Sequence, residues 1–148
     1  MFKHILIATD GSELARKAET VGLTLAEALN AQVTAVTATE PLDALSISAL
    51  AERGLPNPVA DYDEAAAASA NRILWGVTKA ATRIGVACTT LYANDKYPAE
   101  AILETAKKRG CDLIVIASHG RRGISRMLLG SQATKVVTLS AIPVLVCR

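Results

Sequence analysis

The chain has 148 residues, 51% of them apolar and 20% charged, with a formal net charge of +2. That is enough for one well-buried core and too little for two ordinary domains, so a single globular domain over residues 1–148 is expected. So slight a charge imbalance, with aromatics limited to Phe2, Tyr62, Trp75, Tyr92 and Tyr97, argues against a polyanion-binding surface or a base-stacking platform, and nucleic acid is not an expected partner.

The first run, Lys3 to Ala8, is short, apolar and rich in β-branching, and it stops at Thr9-Asp10-Gly11-Ser12, as a buried strand followed by a turn would. Asp10 or Ser12 can open the helix that follows over Glu13 to Asn30, whose apolar face is predicted at Leu14, Val21, Leu25 and Leu29. Ala31 to Ala38 is the second strand. The Pro-rich segment from Thr39 to about Ala60 is the least regular part of the chain, with room for some helix. An alanine-rich helix is predicted from about Ala60 to Ile84, with Ile73, Val77 and Ile84 on its apolar side. Val86 to Tyr92 is a third strand. Pro98 opens a helix that Gly110 closes after Arg109, Asp112 to Ala117 is the most apolar strand, Ser131 to Ser140 is a last helix and Pro143 to Arg148 a last strand. Strands apolar on both faces that alternate with helices predict an α/β fold: a doubly wound, five-stranded parallel sheet with helices on both faces.

No secretory apolar region opens the sequence and no apolar run approaches the ~20 residues of a membrane span, so a cytoplasmic protein without membrane contact is expected. Cys88, Cys111 and Cys147 form no CxxC pair, and Cys88 and Cys147 sit in apolar runs as small hydrophobes would. No His/Cys/Asp cluster has metal-ligand spacing.

In a doubly wound sheet, ligands bind beyond the carboxyl ends of the strands. Two strands end in unusual loops there, the first in ATDGS and the fourth in ASHGRRG. Gly120, Gly123 and Gly130 would let backbone N–H groups approach a ligand, the helix starting at Ser131 offers unpaired donors, and Arg121, Arg122 and Arg126 add positive charge. Such a loop can cradle an anion, or its glycines can serve the turn and its arginines the solvent. No GxxxxGK[ST] is present and no GxGxxG follows the first strand, which disfavours the common NTPase and dinucleotide sites. An FMN-binding flavodoxin-like module is disfavoured too, since its phosphate loop would follow the first strand.

Taken together, KHILIATDGSELARKA, ASHGRRGISRMLLGSQATKVV and IPVLVCR resemble the universal stress protein family across essentially the whole chain. Its ATP-binding branch is similar to this chain in G-x2-G-x9-G-[ST], here Ala117, Gly120 and Gly130 followed by Ser131, with Gln132 next in the helix. The resemblance implies phosphates held by the backbone amides of this loop, a ribose contact at Asp10, and adenine beside the Ala8–Thr9 backbone and the main chain of Ala38. Mg²⁺ or Mn²⁺ would arrive on the phosphates. Alanine for the first glycine is expected to weaken binding, its methyl obstructing only if Ala117 needs positive φ or very close packing. Asp10 has a second reading as a helix-entry residue, and His119 can face a phosphate or simply be solvated.

No residue set compels ATP turnover. Three functions remain open: an ATP-binding regulator, a nucleotide-free family member acting through protein contacts, and a slow ATPase. The last strand would be a sheet edge open to pairing, and the resemblance implies a homodimer built there, although Ile142–Pro143 and Arg148 can also blunt that edge.

Overall fold

The computed structural model describes residues 1–121 and 128–148. Five strands, β1 (His4–Ala8), β2 (Gln32–Ala38), β3 (Cys88–Ala93), β4 (Leu113–Ala117) and β5 (Val144–Cys147), form one parallel sheet in the order β3-β2-β1-β4-β5. The helices are α1 (Glu13–Leu29), α2 (Ala44–Glu52), α3 (Pro58–Arg83), α4 (Pro98–Arg109) and α5 (Ser131–Leu139). This is the predicted α/β architecture. Alternation along the strands divides the core: Ile5, Ile7, Val33 and Val115 pack with α1 and α3, while Leu6, Val36, Ile114 and Ile116 pack with α4 and α5. None of the described helices is long and apolar enough to cross a membrane.

Local signals set the helix ends. Ser12 caps α1 by accepting the Ala15 N–H, and Asn30 ends it in the left-handed region at φ 51°. Pro98 starts α4, and Gly110 closes it at φ 66°.

One sequence expectation needs correction in part. The most buried positions of α1 are Ala15, Ala18, Gly22, Leu23 and Ala26; of the expected face, Leu25 and Leu29 are half-buried and pack against this core, Leu14 is half-buried, and Val21 is 43% exposed. Small residues win the most buried positions because the helix lies close on the strands: a Cβ on Gly22 would stand 2.7 Å from Ile7 Cδ1. The segment after β2 holds the helix for which the sequence left room. Asp43 caps α2 by accepting the Ser46 N–H, and α3 begins at Pro58 with proline in its first turn.

Candidate functional site

β1 and β4 are neighbours with Ile7 opposite Val115, so the loops that leave their carboxyl ends face each other at the point where strand order reverses. Between them opens a cleft of about 710 Å³, within the range of small-ligand sites. All ten residues singled out from the sequence line it: Ala8, Thr9 and Asp10 from β1 and its turn, Ala38 from β2, Ala117, His119 and Gly120 from β4 and its loop, and Gly130, Ser131 and Gln132 at the start of α5. Arg121 also lines the cleft, whereas Arg122, Gly123 and Arg126 lie outside the described residues.

Asp10 is not the helix cap, since Ser12 fills that role. Its Oδ1 accepts the Ser12 N–H over 2.9 Å and its Oδ2 accepts the Arg121 N–H over 2.7 Å.

The glycines are required by proximity. Gly130 has φ −69° and Gly120 is not among the positive-φ glycines. A Cβ on Gly120 would lie 2.8 Å from Asp10 Oδ2, and one on Gly130 would lie 3.3 Å from the Ser118 carbonyl oxygen. The Gly130 N–H donates to that same oxygen over 2.8 Å, which closes the neck of the loop. With no side-chain cap at Gly130, the first N–H groups of α5 point toward the cleft end of the helix axis, where a helix carries partial positive charge. Ala117 is the last residue of β4, paired with Cys147 and not at positive φ, so its methyl sits on ordinary strand backbone.

His119 is half-buried, contrary to the solvated reading. Its Nδ1 pairs with Ser118 Oγ at 2.9 Å, and Nε2 is buried with no hydrogen-bond partner among the described residues. A Ser118 hydroxyl donating to Nδ1 would leave Nε2 as the N–H. Gln132 is bound to the scaffold as well as lining the cleft: its Oε1 accepts the Ala99 N–H at the start of α4, over 3.0 Å.

Thr9 anchors the first turn. Its hydroxyl donates to Glu19 on α1 and accepts the Gly11 N–H over 3.1 Å, and its own N–H donates to the Val36 carbonyl. Burial pushes the Glu19 carboxyl above its ordinary range, and the nearby Asp10 charge adds to this, while the Thr9 hydrogen bond and the Arg16 guanidinium oppose it.

Sequence reasoning missed one wall. Tyr62, Ala65, Ala66, Ser69, Ala70 and Ile73 line the cleft from α3, spaced at three and four residues along one helix face. That spacing was visible, but small residues carry no chemistry that marks them as lining. Tyr62 further ties α3 to the end of β2 by donating to the Glu40 carbonyl.

The universal stress protein family model matches residues 1–148. Universal stress protein YxiE of Bacillus subtilis is 33% identical over 149 residues, with both chains fully covered. Among solved structures, a universal stress protein in complex with cAMP is 23% identical with a TM-score of 0.68, covering 99% of this chain and 97% of its own. A family protein of Arabidopsis thaliana with AMP bound is 17% identical, also at 0.68, with 97% and 90% covered. The order of the strands, the two facing loops and these matches along the full length agree, and the chain belongs to the universal stress protein family.

Proposed function

We propose that the whole chain works as one nucleotide-binding domain, a cytoplasmic regulator that holds ATP in the cleft between the β1 turn and the loop after β4. The observation that carries this reading is the neck at Gly130: its N–H closes onto the Ser118 carbonyl, glycine keeps a side chain out of that contact, and the start of α5, with no side-chain cap from Gly130, lines the cleft. His119 lines the same cleft, and its Nε2, without a partner among the described residues, supports a further donor for a phosphate oxygen once a ligand opens access to it. At the other end, the main chain around Ala8, Thr9 and Ala38 lies under the α3 wall, where a flat base fits between the sheet and small side chains. The cAMP and AMP bound by the two structural neighbours support the adenine class of ligand. ATP as the ligand rests on the extent of the donor set, with Mg²⁺ or Mn²⁺ carried by its phosphates. Ala117, on regular strand backbone, weakens the case for a nucleotide-free protein.

A homodimer through β5 completes the reading. β5 is an edge strand, Leu145 on it is 37% exposed, and Val137 and Leu139 at the end of α5 are exposed as well.

The test is mass spectrometry of nucleotide released from freshly purified protein, followed by calorimetric titration of ATP with Mg²⁺ into the stripped form. Micromolar binding is expected. No released nucleotide and no heat would overturn the reading and favour a member acting through protein contacts.

A further inference from the structure

Asp10 touches both loops of the cleft at once. Its Oδ1 holds the Ser12 N–H inside the β1 turn, and its Oδ2 holds the N–H of Arg121, 111 positions along the chain. Gly120 is pressed against that oxygen: a Cβ there would lie 2.8 Å away, so a side chain at Gly120 would push the carboxylate off the amide that follows. The Arg121 guanidinium folds back over the same turn, 3.6 Å from where a Cβ on Gly11 would be. Because Ser12 caps α1, the helix start has its own anchor.

We propose that Asp10 is a positioning residue for the phosphate loop, acting through the Arg121 amide, in addition to any contact with a sugar hydroxyl. The inference rests on the nucleotide-binding reading above. A carboxylate only accepts hydrogen bonds, and bonds from N–H groups to an ionised acceptor are the stronger kind. One side chain then sets the distance between the sugar end and the phosphate end of the cleft.

The two roles of Asp10 predict different ligand dependence. A residue that touches only the sugar contributes equally to adenosine, AMP and ATP. A residue that positions the loop contributes more as phosphates are added. Charge works the other way, since a nearby carboxylate repels phosphate and its neutralisation alone would tighten ATP relative to adenosine. The sign of the change therefore separates positioning from repulsion.

Asp10→Asn keeps the shape but exchanges one acceptor oxygen for a donor, so whichever way the amide turns, the Ser12 or the Arg121 N–H faces an N–H. Gly120→Ala attacks the same contact from the other loop while keeping the carboxylate and its charge. Adenosine, AMP and ATP with Mg²⁺ would be titrated calorimetrically into wild type and both variants, with thermal melts alongside. In each variant the ATP affinity is expected to fall about tenfold further than that for adenosine, with AMP between, the loss of one charge-assisted hydrogen bond. Equal losses for the three ligands, or a gain for ATP, overturn the positioning role and leave nucleotide binding standing. Wild type binding none of the three overturns both. Should Asp10→Asn fail to fold, the ratio in Gly120→Ala decides alone.

Discussion

The N–H of Gly130 donates to the Ser118 carbonyl oxygen across 2.8 Å, and the point where Gly130 would carry a Cβ lies 3.3 Å from that same oxygen. Hydrogen bond and steric limit share one atom, so a side chain at Gly130 requires the neck of the loop to give by a few tenths of an ångström, and a branched one by more. Gly130→Val forces the α5 terminus away from Ser118. Overpacking of this kind costs about 1 to 3 kcal/mol, and the ATP affinity is expected to fall about tenfold or more. Far-ultraviolet circular dichroism should remain that of wild type, because the strain is confined to the loop. An unchanged affinity by calorimetry would place the phosphates away from this neck.

Gly22 gives a second steric test, in the scaffold. Alanine is favoured over glycine in a helix by about 1 kcal/mol, yet a Cβ at this position meets the fully buried Ile7 at 2.7 and 2.8 Å. Displacing Ile7 in a packed core costs about 1 to 3 kcal/mol. Gly22→Ala is therefore expected to destabilise the protein by about 1 kcal/mol in urea unfolding. A gain in stability would mean that α1 can lift off the sheet.

Glu19 predicts a pH dependence of stability. Its carboxyl is pushed up from the ordinary 4.5 chiefly by burial. The folded protein then holds that proton more tightly than the unfolded chain does, so the contribution of Glu19 to stability is complete below about 4.5 and is lost as pH rises through the folded value. Glu19→Gln, which stays neutral and can still accept from Thr9, is expected to melt higher than wild type at pH 8. The difference should close as the pH falls toward 4.5. A lower melting temperature at pH 8 would mean that the ionised pairing with Thr9 and Arg16 outweighs burial.

The thiol of Cys111 is pushed up to about 11, first by burial and then by the neighbouring Asp112 charge. Only the thiolate reacts with disulfide reagents. At pH 8 the native protein should modify Cys111 on the order of a hundredfold more slowly than an exposed thiol, with full reaction on unfolding. Peptide mapping after timed labelling measures this, and fast native labelling would mean that the segment entering β4 opens readily.

Leu145→Lys tests the edge of the sheet. An exposed apolar side chain on an edge strand invites pairing, and a lysine there opposes it. Light scattering should find wild type as a dimer and the variant shifted toward monomer at equal concentration. A wild-type monomer would show that Ile142–Pro143 already blunts the edge.

Much of this was legible where local chemistry is strong. Ser12, Pro98 and Gly110 mark helix ends through capping, fixed φ and the left-handed region, and the apolar runs of β1 and β4 are buried on both faces. The cleft residues were legible because glycine, aspartate and a helix start in two loops imply a ligand only if the loops meet, and sheet order makes them meet. What escaped was decided by distance between elements. Leucine spacing on α1 found Leu25 and Leu29, which pack at the margin of the core, but the close approach of the helix to Ile7 puts alanine and glycine at its centre and leaves Val21 outside. The α3 wall was hidden for a similar reason, since Ala66 and Ser69 acquire a role only from the surface opposite them.

β1 lies at the centre of the sheet, yet its two partners are made at very different times: β2 follows within a few dozen residues, whereas β4 arrives after most of the chain. During synthesis the central strand therefore keeps one bare edge until Leu113–Ala117 emerges, and contacts so far apart in sequence form slowly. The Asp10 turn has no opposing loop before that moment. A ribosome-bound chain stopped short of β4 would present an unpaired edge and only the β1 side of the cleft.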